Sequence, residues 1–319
     1  MSEPKNPSRL LPRLIRRVIA RLVGVVVVLW GAATLAFLVL HLAPGDPVDI
    51  LLGAQTQATD ETKTAIRSEM GLDKPLLVQY LGYLGHLAHG DLGTSYRLGQ
   101  PVSAVLAQQL PPTIALASSA FVLAVVIALL ISLLAHGRVA TAIAGLLELV
   151  AISSPGFWTG LLLLTVFSFH LHWFPVAGGS GPGGLVLPAL TMALPIAGIL
   201  SQLLRHGLDV AAQQPFVLTA RARGLTPAQV TGRHTLRHAA LPATTFAAYI
   251  VGSLLGGAVI VEQLFGRPGI GRVTLDAVTN RDLPVLMAVV VLAAIVFILV
   301  NIVVDLLYPV LDPRLREDR

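Results

Sequence analysis

The sequence predicts an all-α fold, that of a polytopic membrane protein with about six transmembrane helices. Three observations carry that prediction. Hydrophobic residues make up 55% of the 319-residue chain and charged residues only 12%, with a mean hydropathy of +0.77, whereas soluble domains carry about 25% charge. Uncharged stretches recur along the chain, several long enough to cross ~30 Å of hydrocarbon, which takes about 20 residues. The basic residues that produce the pI near 10.0 sit in short segments between those stretches. That distribution orients a chain in a bilayer, whereas nucleic-acid binding calls for one basic face.

Taken in order, residues 1–21 form a basic N-terminus with six Lys and Arg. It looks like the start of a signal peptide, but the apolar run at 22–40 outlasts the usual 7–15 residues, and Ala32 and Ala33 lie inside it rather than at a cleavage site after it. The run therefore reads as an uncleaved first span, 22–42. The segment 43–107 follows outside. In it Asp73 and Pro75 can start a helix, Leu77, Tyr80, Leu84 and Leu87 share one helical face, and Gly90 can end it. Such a helix would lie on the outer membrane surface or cover the spans.

Span two is expected near 113–135 and span three within 139–170. Span three is irregular, because Glu148 and "SSPG" at 153–156 interrupt it, and a proline breaks helix hydrogen bonding. A kink near Pro155 is expected. Spans four, five and six follow near 185–204, 243–261 and 285–304, and a tail, 309–319, ends the chain.

Counting Lys and Arg sets the direction. Between spans one and two there are four basic against seven acidic residues; between spans three and four there are no basic residues. From Arg205 to Pro242 there are five basic residues against the single Asp209. The positive-inside tendency then puts both termini and the 205–242 segment in the cytoplasm, with Trp173 at the outer interface.

Within that segment, "PFVLTARARGLTPAQVTGRHTLRHAALP" at 215–242 has four arginines, two histidines and no carboxylate. Pro215 suits a first helical position and Gly224 the residue past a helix end. Thr226, Pro227 and Gln229 read as a second start with a capping box, and Pro242 is expected to stop that helix. The result is a helix–turn–helix on the cytoplasmic face. Topology alone needs only a few arginines, so two capped helices point to a docking surface.

Other chemistry is missing from the sequence. There is no G-x-x-x-x-G-K-[ST], so ATP binding by this chain is not expected, and there is no H-E-x-x-H, G-x-S-x-G or cysteine. His170 and His172, two apart, would point away from each other on a helix and read as interfacial polar residues. Glu148, an intramembrane acid, either faces a translocation path to meet a substrate amine or pairs with an arginine or backbone group near the cytoplasmic side. Asp305 reads as a boundary residue or a partner for loop arginines. Glu262 lies where span five emerges, and no single residue there can be given a role.

Several stretches together resemble the permease subunits of ATP-binding-cassette (ABC) importers, in the dipeptide, oligopeptide and nickel subfamily. They are "LAPGDP" at 42–47, "GDLGTSY" at 90–96 with "PVSAVL", "SSPGFWTGLLLL" at 153–164, and "TARARGL" at 219–225 with "RHTLRHAALP". Further on come "GGAVIVEQLFGRPGIGR" at 256–272, "RDLPVL" at 281–286 and "VNIVVDLLYPVLDPRLR" at 300–316. The resemblance implies a type I importer permease fold, with the permease domain at 108–308, five of the helices, and a cytoplasmic coupling loop at 211–242. In that family the loop inserts into a groove on a separate ATPase subunit. The matching positions are Thr219, Ala220, Arg221, Ala222, Arg223, Gly224 and Leu225. Leu218 stands where the broader superfamily has Glu, a departure shared by peptide-type relatives.

The partners implied are two ATPase subunits or domains, a second homologous permease, an extracytoplasmic solute-binding protein and membrane lipid, with no nucleic acid. The implied setting is the bacterial inner membrane. No cofactor is expected in this chain, ATP being bound by the partners. The "GRPGIGR" region is implied to help close the outer gate and receive the binding protein. Look-alike permeases carry dipeptides, longer peptides, nickel complexes, metallophores or glutathione, because the binding protein does most of the selecting. An ion-coupled secondary transporter is the competing reading; it would need its own coupling acids, for which Glu148 is a thin basis, and would leave the basic loop unexplained. A membrane enzyme would need clustered catalytic residues, which are lacking.

Overall fold

A computed structural model describes residues 10–42, 48, 59–69, 72–178, 181 and 183–311. Residues 1–9 of the basic N-terminus, 43–47 of the "LAPGDP" motif and 312–319 of the tail thus lie outside the described residues. The chain forms two compact units, Met1–Leu106 with Asp276–Leu299, and Ala107–Leu275 with Val300–Arg319. The regular elements among the described residues are helices, with an isolated antiparallel bridge from Thr94 to Pro101. Four of these helices are long and apolar enough to cross a membrane, and there are six spans if each of two bent pairs counts as one.

The first unit contains α1 (Leu10–Leu42), α2 (Asp60–Glu69) and α3 (Leu76–Ala88). On α1 the residues Ala33, Ala36 and Phe37 are buried, while Val26, Leu35 and Val39 remain exposed, as a lipid-facing helix requires. Here α3 covers α1: Tyr80 Oη lies 2.7 Å from Thr34 Oγ1, and the rings of Tyr80 and Tyr83 flank Phe37. Pro75 occupies the N-cap position without a side-chain cap. Instead Gln79 Nε2 reaches back to the carbonyls of Leu72 and Lys74, and Gly90 turns at φ +78° beyond the far end. The helix expected after Asp73 and Pro75 is therefore present, and it packs on α1.

Also in this unit, two motifs far apart in sequence meet. Asp282 is buried and accepts from the Ser95 hydroxyl and from the backbone N–H groups of Tyr96 and Arg97. "GDLGTSY" and "RDLPVL" are thus one folded knot. Burial, and then the Asp282 carboxylate, push the Tyr96 phenol up to about 12.

The second unit is built on α7 (Gly183–Ala212), which packs against α5 (Arg138–Ser153), α6 (Gly156–Leu163) and α10 (Leu236–Leu264). Helix α4 (Val102–Leu134) presents Leu116, Ala120, Ala124 and Ala128, all at 0% exposure, at every fourth position. Ala124 meets Ala193 and Ala197 of α7. In lipid there is little hydrophobic drive between helices, so small residues that let backbones approach do the holding. Gly207 of α7 is the extreme case: a Cβ there would lie 2.8 Å from Ala239 Cα and 2.9 Å from its carbonyl oxygen.

The apolar segment read as span three is sharply bent. Its halves, α5 and α6 (the latter continued by π-helical Leu164–His170), meet at 109°. The residue before a proline is pushed out of the helical region, and Ser154 is extended at ψ 128° ahead of Pro155. Its N–H and hydroxyl both return to Val150 O, closing the end of α5.

At Pro242 the expectation is corrected. The helix does not stop there; Pro242 lies inside α10. A proline costs a helix one hydrogen bond and a steric adjustment, which neighbouring helices can absorb in a membrane protein. The bend in this span comes later, 56° between Pro242–Leu254 and Gly256–Leu264.

Candidate functional site

The carboxylate-free loop folds into a hairpin with its own small core. Pro215 opens α8 (Pro215–Ala222), with Gln214 extended ahead of it. Gly224 takes φ +82°, and its N–H and that of Leu225 return to Arg221 O and Ala220 O. These bonds close the helix as a left-handed residue past its end is expected to do. Thr226 then caps α9 (Pro227–Val230) by a full capping box, Gln229 N donating to Thr226 Oγ1 and Thr226 N to Gln229 Oε1. A π-helical turn, Thr231–Thr235, carries the chain into α10.

Burial divides the seven motif positions. Val217, Ala220 and Val230 form the hairpin core, with Phe216 and Leu225 packed against it. Thr219, Arg221, Ala222, Arg223 and Gly224 are exposed. Leu218, the departure from the wider pattern, is 71% exposed. The sequence reading treated 219–225 as one block; the structure brings these positions together but gives Ala220 and Leu225 an inward, structural place. A period-3.6 count through Val217 and Ala220 is the signal that could have separated the two faces.

Above the hairpin a cavity of about 440 Å³ opens between the ends of α4, α7 and the loop, with Gln202, Arg205, Asp209, Val217, Arg221 and Thr231 among its lining residues. Arg205 also reaches inward. Its Nη2 lies 2.6 Å from Glu148 Oε2, and Ser201 Oγ donates to Glu148 Oε1 at 2.8 Å. The side chains are 19% and 0% exposed. Arg205 Nη1 further donates to Thr141 O. Both carboxylate oxygens of Glu148 are therefore engaged, and the arginine involved is Arg205. Arg138 is nearer in sequence, but Arg205, 57 residues away, comes close only through helix packing. Gly198 allows that packing, because a Cβ there would press on Ile152 and on Glu148 O.

His170, His172, Trp173 and Glu262 are not among the residues that line this cavity. His172, with positive φ, has Nδ1 3.2 Å from His170 O, and both residues are exposed. Among the described residues no group of three or more His, Asp or Glu could hold a metal ion. Trp173 is exposed and its ring packs on Phe167. Asp305 lies in α12 (Leu283–Leu311). Glu262, without a role in the sequence reading, is completely buried.

Residues 120–317 match the family described as "Binding-protein-dependent transport system inner membrane component", and residues 14–117 match the corresponding N-terminal family. The glutathione transport system permease protein GsiC of Salmonella choleraesuis (strain SC-B67) is 35% identical over 306 residues, covering 95% of this chain and 99% of that protein. A Brucella abortus (strain 2308) protein, provisionally named as a peptide transport system permease, is 37% identical over 312 residues, covering 94% and 99%. Among solved structures, a chain of the MetNI methionine ABC transporter in inward facing conformations superposes with a TM-score of 0.51 at 16% identity, covering 66% of this chain and 97% of that one. At that identity the likeness is one of fold.

Proposed function

Since the chain belongs to the binding-protein-dependent transport system inner membrane component family, the permeases of ABC importers, we propose that it forms part of the translocation path for a peptide-like solute and couples to ATPase subunits through the 215–230 hairpin. The relatives' names support a peptide or glutathione cargo, with glutathione the first probe. A binding protein would deliver the solute outside, a second permease would complete the path, and ATP would be bound by the partner ATPases. On this reading both termini and the hairpin lie in the cytoplasm.

One observation carries the coupling role. The hairpin exposes Leu218, Arg221 and Arg223 on a scaffold fixed by a core and two caps. An apolar knob beside guanidinium groups suits a groove that pairs shape with acidic or carbonyl acceptors. Glu148 is assigned here to bracing α5 against α7, since its carboxylate is already held by Arg205 and Ser201. That assignment also removes the main support for a secondary transporter, which would need a free coupling acid.

The test is Arg221→Glu in the complex reconstituted into vesicles. Losing a charge-assisted hydrogen bond costs ~1.5–3 kcal/mol, so ATPase association should weaken about tenfold or more. ATP-dependent glutathione uptake should fall with it, at normal membrane levels. Unchanged association would sink the coupling role. Uptake driven by a proton gradient without ATPase subunits would favour the secondary transporter.

A further inference from the structure

The "EQLFGRPGIGR" stretch is stitched together by one carboxylate. Glu262, near the end of α10, has no solvent exposure. Its Oε1 accepts from Thr113 Oγ1 at 2.6 Å, and its Oε2 accepts from the N–H groups of Gly271 and Arg272 at 2.9 and 3.2 Å. Thr113 Oγ1 in turn accepts from Ile270 N at 2.9 Å. The three backbone donors open α11 (Ile270–Thr279), whose first N–H groups have no partner inside the helix. Side chains from two other helices supply those partners here.

The surrounding residues are shaped around this lock. A Cβ on Gly269 would fall 2.1 Å from Glu262 Cδ, and one on Gly271 would fall 2.3 Å from Val259 Cα. Glycine at both positions is what lets the turn close over the carboxylate. The same turn is held from its other side, where Arg267 Nη1 donates to Gly184 O at 2.6 Å and Gly178 N donates to Phe265 O. One turn thereby joins α4, the start of α7 and the end of α10.

We propose that Glu262 is a positioning residue for transport: its carboxylate locks the 265–272 turn so that these helix ends move together. The transport part rests on the permease reading above; the lock itself does not. A buried carboxylate accepting three hydrogen bonds exceeds what a turn of this length needs for stability alone, because a neutral cap would satisfy the same amides without burying a charge.

The cysteine-free chain permits a direct test. A spin label on Leu275→Cys, an exposed position of α11, reports the motion of the turn in the assembled complex, and glutathione uptake and solute-free ATP hydrolysis are measured alongside. With Glu262→Ala the label should become mobile and uptake should fall by about tenfold or more, the scale of one lost charge-assisted hydrogen bond. Solute-free hydrolysis should stay within about twofold, as for a change far from the ATPase contact. Glu262→Gln, which keeps an acceptor for the amides, should restore most of the uptake. Thr113→Val, which preserves shape and removes two of the bonds, should shift label and uptake in the same direction and serves if Glu262→Ala fails to assemble. An unchanged label in both Glu262→Ala and Thr113→Val would overturn the lock. A mobile label with normal uptake would overturn its part in transport. Absent ATP-dependent uptake in the unmodified complex would instead overturn the permease reading, leaving the label result to judge the lock.

Discussion

The Glu148 side chain has no solvent exposure, and Arg205 and Ser201 engage its two carboxylate oxygens. Removing one partner of such a pair strands the other and costs ~3–5 kcal/mol, whereas replacing both with apolar residues of similar volume is often neutral. Glu148→Ala and Arg205→Ala should therefore each lower the melting temperature of the purified protein clearly, and Glu148→Leu with Arg205→Met should recover most of it. Simple addition of the two single effects in the double variant would refute the pairing. Tyr96 gives a second test at this scale. Its phenol is pushed up to about 12 by burial first and by Asp282 second, against about 10 for an exposed tyrosine. A raised value favours the neutral form in the fold, so its contribution is complete below about pH 10 and is lost as pH rises toward 12. Tyr96→Phe should flatten the loss of stability above pH 10 in thermal melts; an unaltered slope would assign that loss to another group. Glu148 could be singled out in the sequence because an acid inside an apolar run is conspicuous. Its partner could not, since Arg205 looked like one more basic residue of the loop.

The hairpin shows which elements a sequence announces. Its caps are local: Pro215 at a first position, Gly224 past the end, and Thr226 with Gln229 as a box all have the expected geometry. The stop at Pro242 failed because a proline's cost depends on what surrounds the freed carbonyl, and neighbouring sequence does not reveal that. The break in span three succeeded because the restriction on Ser154 is imposed by Pro155 directly. Gly224 yields the clearest substitution. Nothing lies within 4 Å of a Cβ there, so the penalty of Gly224→Val is purely conformational, arising from φ +82°. That strain is about 1–2 kcal/mol, somewhat more for a β-branched side chain. Misdirected helices α8 and α9 should weaken ATPase capture in pull-downs while membrane levels stay normal. Arg138→Glu, basic but outside the hairpin, is the control and should capture nearly as well as the unmodified chain. Gly207→Ala tests packing instead: the backbone of Ala239 cannot yield, so α7 and α10 should separate and the protein should lose thermal stability.

For the whole molecule, composition alone indicated the class, because a bilayer demands long apolar helices and leaves few alternatives. What composition could not indicate is which distant stretches fold onto one another. Ser95 and Asp282 are 187 residues apart, and Thr113 and Glu262 are 149 apart. Each stretch reads alone as a loop motif or a span end, and the bond between them exists only after the helices have packed. Direction in the membrane is open to a test that needs no structure. The link between spans three and four has no Lys or Arg, whereas Arg205 to Pro242 has five against one acid, and basic residues are retained on the cytoplasmic side. Val176 and Ala228 are exposed positions of those two segments, and a chain without cysteine gives no background labelling. In intact spheroplasts an impermeant maleimide should modify Val176→Cys and leave Ala228→Cys untouched; in inverted vesicles the pattern should reverse. Labelling of Ala228→Cys from outside in intact spheroplasts would place the hairpin on the wrong side to meet an ATPase. The coupling role would fall with it, whatever the geometry of its caps.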